Sequence, residues 1–352
     1  MTGTILTLNV GSSSLKLALY EHGERSAGAV VERIGERAAL KHGGARRDVA
    51  APDHATALAV ALTAMGDLSP DAVSHRIVHG GAVYSEPARL TDEVIDDLRA
   101  MIPLAPLHQP PAIAVIDAAR ARFPDALHVG CFDTGFHARK PALHDTLPLP
   151  LHYREEGLRR YGFHGLACAS IVHALGEAGT GRLVIAHLGN GASVTAVLDG
   201  RGMSNSMGFS TLDGAMMGTR CGSLDPGVPI HLLRQGMTLD ALEELLYRQS
   251  GLMGVSGLSN DMRTLIASDA APAAFAREMF AQRVAEEIGR AAIVLGGVDT
   301  LVFSGGIGEN DTAMRDAICA LTAPIGVGPD KARVIEADGE GVLARAAMAM
   351  LT

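Results

Sequence analysis

Two stretches of this chain are built alike, and that repetition constrains the fold more than any other feature of the sequence. Residues 4–9 form a β-rich run that meets Gly11-Ser12-Ser13-Ser14 and returns through residues 15–20, with Lys16 just past the turn. Residues 183–188 run into Gly189-Asn190-Gly191 and return through residues 193–198. The same strand, glycine turn and strand therefore open each half, an internal repeat of architecture. A length of 352 residues suits two domains, each with its own core.

Strand and helix signals alternate between these hairpins, which predicts an α/β fold of helices layered on sheets. A third glycine turn, Gly305-Gly306-Ile307-Gly308-Glu309-Asn310, follows the apolar strand end Leu301-Val302-Phe303-Ser304. Thr91 is placed to cap a helix over residues 92–101, Pro110-Pro111 to start one over 112–122, and Thr238 to begin one over 239–249. Phe275, Met279, Ile288, Ala292 and Leu295 mark the expected buried stripe of a long helix over 273–295. Gly43-Gly44-Ala45-Arg46-Arg47-Asp48 reads as an exposed, charged turn.

A formal net charge of -9 argues against a nucleic-acid or anionic-membrane binder, whose affinity rests on a basic face. The start has no basic flank before an apolar run, and no apolar stretch approaches the roughly 20 residues that span a bilayer. The expectation is a cytoplasmic protein. Cys131, Cys168, Cys221 and Cys319 are scattered without a C-x-x-C pair, so neither a zinc ribbon nor a disulfide framework is indicated.

Glycine turns let successive backbone N–H groups approach an anion closely, and phosphate is the natural ligand for three of them together. The chain has no G-x-x-x-x-G-K-[ST] and no strand-placed G-x-G-x-x-G with a following acid, which excludes a P-loop and a dinucleotide fingerprint. Between the turns, Arg76 stands among apolar neighbours in Ser74-His75-Arg76-Ile77-Val78, where a guanidinium can grip a carboxylate or form a structural ion pair. Pro106-Leu107-His108, Phe132-Asp133-Thr134 and Phe163-His164-Gly165 each set a polar group in an apolar or glycine-bounded segment. Thr219-Arg220-Cys221-Gly222 supplies a second arginine suited to charge on a phosphoryl group in transit.

These strings resemble the acetate kinase family, in the superfamily that also holds sugar kinases, Hsp70 and actin. The resemblance rests on NVGSSSLK at 9–16, HRIVHGG at 75–81, APLH at 105–108, FDTGFH at 132–137, RRYGFHG at 159–165, HLGNG at 187–191, GTRCGSLDP at 218–226 and GGIGEN at 305–310. It implies two duplicated ribonuclease H-like (actin-like ATPase) domains of α/β class, each a mixed five-stranded sheet flanked by helices. Residues 1–137 with 338–352 would form the acid and metal side, and 138–337 the nucleotide-binding domain.

The resemblance also implies an ATP-dependent phosphotransferase acting on the carboxylate of acetate, giving acetyl phosphate and ADP. Lys16, His187, Leu188, Gly189, Asn190, Gly191, Asp261, Met262, Arg263, Gly306, Ile307, Gly308, Glu309 and Asn310 would line the nucleotide. Arg76 would hold the acid, with Val78, Leu107 and Phe163 around its alkyl end. Asp133, His164 and Arg220 would join Arg76 in catalysis, and Asn9 and Glu340 would lie by Mg²⁺ or Mn²⁺. A homodimer is the family's usual assembly.

The sequence departs from that pattern at several points. Gln109 replaces an asparagine, Thr211 stands where a pocket-lining proline is usual, and paired glutamates near the end reduce to Gly339-Glu340. Substrate choice is therefore open among acetate, propionate and other short-chain acids, which differ by single methylenes worth about 1–3 kcal/mol each. A carboxylate is already a nucleophile at neutral pH and needs no general base, so the expected chemistry is direct in-line transfer without a phosphoenzyme. A sugar kinase of the same fold would need a carboxylate base and a hydroxyl-reading pocket. A degenerate ATP-binding module would keep the turns and could dispense with Arg76, Asp133, His164 and Arg220.

Overall fold

The computed structural model describes residues 3–35 and 37–351. The chain divides into two compact units, one of Met1–Phe136, Gly165–Ser170 and Asp338–Thr352, the other of His137–His164 and Ile171–Ala337. No helix among the described residues is long and apolar enough to cross a membrane.

The first unit is built on strands β1 (Thr4–Val10), β2 (Ser14–Glu21), β3 (Glu24–Glu32), β4 (Ala39–His42), β5 (Ala45–Asp48), β6 (Ala72–Ile77), β7 (Ala88–Arg89) and β8 (Leu127–Phe132). Their order is β5-β4-β3-β2-β1-β6-β8-β7, with β1, β2 and β3 antiparallel and β6 and β8 parallel to β1. The second unit holds β9 (Arg182–Leu188), β10 (Ala192–Leu198), β11 (Arg201–Asn205), β12 (Thr300–Ser304) and β13 (Ala332–Val334), in the order β11-β10-β9-β12-β13. An antiparallel meander joined to two parallel strands recurs in both sheets, so the hairpin repeat in the sequence is a repeat of topology.

Five strands per sheet describes the second unit and the centre of the first, whose sheet runs to eight. Part of the difference is the stretch read as an exposed turn. Gly43 and Gly44, both at positive φ, reverse the chain between β4 and β5, and every residue of β5 is exposed. The third glycine turn is also corrected: Gly305–Asn310 is helical, because Gly305 at φ 77° turns the chain and the Glu309 carboxylate accepts the Gly305 N–H at 2.8 Å.

Strand periodicity assigns the faces of the first sheet. Leu6, Leu8 and Val73 point toward the helices His54–Met65 and Gln109–Arg122, packing with Leu58, Val115 and Phe123. Ile5, Ala72 and Val129 point the other way, onto Leu343 and Ala347 of the helix Gly339–Leu351. The predicted caps form, Thr91 accepting from Val94 N–H and Thr238 from Ala241 N–H. The stripe on the long helix Ala271–Leu295 is shifted: Ala276, Phe280, Val284, Ile288 and Ala291 are buried while Phe275 is 58% exposed. Ala273, Ala276, Ala281, Ala285 and Ala291 are among its buried residues, so much of the packed face is carried by small side chains.

The apolar interior of the first unit holds neutral histidines. His128 Nε2 donates to the Phe123 carbonyl at 3.0 Å, so its Nδ1 accepts from His75 Nε2–H at 3.0 Å. Burial, then His128 and Arg120, holds His75 well below the usual histidine range, and burial holds His79 down at about 4. The unfolded chain binds these protons near pH 6.5 and the folded chain does not, so stability falls as pH drops through that value. His79 alone is expected to remove about 2 kcal/mol between pH 6.5 and pH 5, with His75 acting in the same direction. Urea midpoints at pH 7 and pH 5 check this; equal midpoints would contradict it.

Candidate active site

In the first unit the polar residues collect at the carboxyl ends of three parallel strands, where open α/β sheets place their ligands. Along β1, Asn9 follows Ile5 and Thr7 on the face covered by the helix Gly339–Leu351. Along β6, Arg76 follows Ala72 and Ser74 on that face, and Asp133 comes next after Val129 and Cys131 of β8. Lys16 lies directly across from Asn9 in the β1–β2 hairpin and is exposed. Two-residue periodicity, together with the parallel pairing of β1, β6 and β8 and the β1–β2 register, brings four predicted residues to one side of one sheet edge.

Their side chains form a continuous network. Arg76 Nε and Nη2 both donate to Asp133 Oδ2, at 3.0 and 2.6 Å, and Arg76 Nη1 donates to Asn9 Oδ1 at 3.1 Å. Asn9 Nδ2 in turn donates to Glu340 Oε1 at 2.7 Å. Asp133 is 1% exposed. Burial works against the Arg76 charge, but Asp133 and, more weakly, Glu340 raise its pKa and hold it protonated. The ion pair is therefore real, and the guanidinium edge best shaped for a carboxylate is taken by Asp133. Val78 is buried just beyond β6, and Leu107 is half-buried. Phe163 lies in the second unit, so these three apolar residues do not share one unit.

The second unit gathers its predicted residues around the β9–β10 turn. Gly189 N–H donates to the Gly191 carbonyl at 2.9 Å, Gly218 N–H to the Asn190 carbonyl at 3.0 Å, and Asn260 Nδ2 to Asn190 Oδ1 at 3.1 Å. A side chain at Gly191 would meet Arg220 Nη2 at 2.6 Å and His164 Nε2 at 3.4 Å, so backbone, guanidinium and imidazole converge there. His164 has a left-handed backbone, φ 57°, and its Nδ1 lies 2.9 Å from Ser193 Oγ. The His187 ring stands 4.8 Å from the His164 ring.

Arg220 donates through Nη1 to the Thr211 carbonyl at 2.9 Å and has no carboxylate partner among the described residues. Burial lowers its pKa to about 10, still charged at neutral pH. A desolvated cation without a counter-charge, beside a glycine turn, is an anion site in waiting. Leu188 is fully buried at the end of β9, and His187 pairs with Ser304 of β12, which leads into Gly305–Asn310. Within that helix Asn310 Nδ2 donates to the Gly306 carbonyl at 2.9 Å, Gly308 is buried and Ile307 half-buried. Asp261 caps the helix Met262–Ile266 and pairs with Arg263 at 2.6 Å.

Residues absent from the sequence reading complete these clusters. Ser193 orients His164, His54 Nε2 lies 2.9 Å from the Gly11 carbonyl of the first turn, and Asn205 is bonded to Phe163. Gln109, read as a departure, donates to the His79 carbonyl at 3.1 Å. Ser193, His54 and Asn205 stand outside the strings that carry the family resemblance.

Relatives in sequence and in structure fall in one family. The Acetokinase family model matches residues 4–350. A protein of Methylocella silvestris named acetate kinase is 43% identical over 398 residues, covering 100% of this chain and 98% of that one. One of Rhodopseudomonas palustris with the same name is 46% identical over 350 residues, covering 93% and 88%. Among solved structures, Porphyromonas gingivalis acetate kinase superposes with a TM-score of 0.84 at 32% identity, covering 99% of this chain and 100% of that one. A propionate kinase from Francisella tularensis superposes with a TM-score of 0.89 at 30% identity, covering 98% of each. With the sequence match running almost from end to end and the duplicated sheet topology in place, the chain belongs to the acetokinase family.

Proposed function

We propose that this protein is an ATP-dependent acetate kinase, transferring the γ-phosphate of ATP directly to the carboxylate of acetate. The observation that carries the reading is Arg220: a half-buried, charged guanidinium with no carboxylate partner among the described residues, converging with His164 on the Gly191 backbone. In this reading Arg220 and His164 stabilise charge on the phosphoryl group in transit, and the Gly189–Gly191 turn cradles the phosphates. Asp261, Met262 and Arg263 lie by the adenosine, and Gly306 to Asn310 line its other side.

Arg76 holds the acid. Its side-chain bonds to Asp133 and Asn9 use three of five N–H groups, and a fourth leans to the Val10 carbonyl at 3.5 Å. The acceptor carboxylate is thus met by the remaining Nη2 N–H and by the loosely held Nη1 N–H. Asp133 acts by fixing the guanidinium plane, not as a base, since the nucleophile is already ionised. Val78, Leu107 and Phe163 receive the alkyl end.

In this reading the Asn9 Oδ1 and the Asp133 and Glu340 carboxylates offer oxygen ligands. That fits Mg²⁺ or Mn²⁺, which bind through one or two carboxylates and complete their shell with water and phosphate oxygens. When bound, such an ion supplies charge neutralisation at the phosphates. Asn9, bonded to Glu340, holds that carboxylate in place, and Lys16 across the hairpin adds a positive charge on the phosphate side.

Hydroxylamine trapping with Mg-ATP and acetate, propionate, butyrate or glycerol tests the assignment. Hydroxamate from acetate, with less from propionate, is the expected outcome; phosphorylated glycerol and no hydroxamate from any acid would sink it. The resemblance to a propionate kinase makes propionate the second reading.

The same proposal includes a cytoplasmic homodimer. The helix Gly227–Arg234 buries none of its residues, and Leu224, Val228, Ile230 and Leu233 are 40–50% exposed, apolar side chains that a second copy would cover. Light scattering is expected to give the mass of two chains, and one chain's mass would count against the dimer.

A further inference from the structure

Asn205 has no place in the phosphoryl chemistry, yet its carboxamide is fully committed to one residue of the acid pocket and that residue's surroundings. Oδ1 accepts from Phe163 N–H at 3.3 Å and from Met207 N–H at 3.0 Å. Nδ2 donates to the Phe163 carbonyl at 3.3 Å and to Thr195 Oγ1 at 2.8 Å. One side chain therefore grips both peptide groups of Phe163, as a neighbouring strand would, and is itself only 5% exposed.

The backbone is arranged to allow this. Asn205 ends β11, opposite Thr195 of β10, after a register shift that leaves Met203 without a partner. A bulge turns the residues beyond it to the other face, and here it aims Asn205 inward. A side chain at Gly162 would lie 2.8 Å from the His137 ring and 2.9 Å from Asn205 Cβ, so glycine lets both close on the segment. His137 Nε2 adds a donor to the Phe163 carbonyl at 2.9 Å. The next residue, His164, is held left-handed, a conformation that persists only when its surroundings over-determine it.

We propose that Asn205 is a positioning residue for the acid pocket, fixing the Phe163 ring by both of its peptide groups and thereby setting selectivity for acid chain length. The proposal rests on the reading of Phe163 as a wall of that pocket. Loosening the wall enlarges the space for a longer acid and removes contact from a shorter one, which moves the two substrates in opposite directions.

The test compares kcat/KM for acetate and propionate in the wild type, Asn205→Ala, Asn205→Asp and Phe163→Ala, with the KM for ATP measured alongside. Asn205→Ala is expected to lower the acetate-to-propionate ratio about 5- to 10-fold, with the KM for ATP within about twofold. Asn205→Asp keeps the acceptor and loses the donors at neutral pH; its buried carboxyl has a raised pKa, so the wild-type ratio should return as pH falls and an O–H donor is restored. That recovery is not expected of a residue that only stabilises the fold, and it gives the answer if Asn205→Ala does not fold. A shifted ratio in Phe163→Ala with unchanged ratios in both Asn205 variants would overturn this inference alone. An unchanged ratio in Phe163→Ala would overturn the pocket reading, and this inference with it.

Discussion

Arg220→Ala is expected to lower kcat by about 10³-fold while leaving the fold and ATP binding nearly intact. Arg220 has no carboxylate partner among the described residues, and its anchor is the neutral Thr211 carbonyl. Removing it strands no opposite charge, so stability should change by less than about 1 kcal/mol. On the proposed role the loss would fall on the transition state, with charge spreading over the transferring oxygens near Arg220 and His164, which converge at Gly191. Arg220→Lys should recover little, because a single ammonium reproduces neither the reach nor the fork of a guanidinium. Single-turnover phosphoryl transfer, read beside nucleotide affinity by calorimetry, checks this. A variant with normal turnover would show that Arg220 meets no developing charge, and one that no longer binds ATP would move it to the ground state.

Much of this arrangement was legible in the sequence, for reasons that can be named. Glycine turns after apolar strands announced both hairpins, whereas the meeting of Asn9, Arg76 and Asp133 at one sheet edge follows from period-two alternation only through the parallel pairing of β1, β6 and β8. Register, not motif, put Lys16 opposite Asn9. What could not be read is what lies far apart in the chain and is joined only by side chains. The Asn9–Glu340 bond spans 331 positions. The Asn205 grip depends on a bulge whose position no local pattern reveals. The helical form of Gly305–Asn310 was hidden because its glycines disfavour helix, and the Glu309 carboxylate folding back onto Gly305 N–H offsets that preference. Arg76 was ambiguous between an acid-binding group and a structural ion pair, and it forms the pair with the N–H groups a bidentate ligand would want first.

That double engagement gives Arg76→Ala a different signature from Arg220→Ala. Asp133 is almost wholly buried, and the guanidinium is the ion-pair partner of its carboxylate. Truncating the arginine leaves that charge uncompensated, which should cost about 3–5 kcal/mol of stability. The kcat/KM for acetate should fall at least about 10³-fold, because the acceptor loses its cation and Asn9 loses a donor that orients it toward Glu340. The two losses can be separated. In Arg76→Ala/Asp133→Asn the buried group is neutral, so chemical denaturation should show most of the stability restored. Activity should not return, since the acid still has nothing to hold it. If the double variant regained turnover together with stability, the role of Arg76 would be to keep Asp133 folded in place and another group would have to bind the acid. If Arg76→Ala were as stable as the wild type, water would be reaching Asp133, and the ion pair would not be the element that fixes the guanidinium plane.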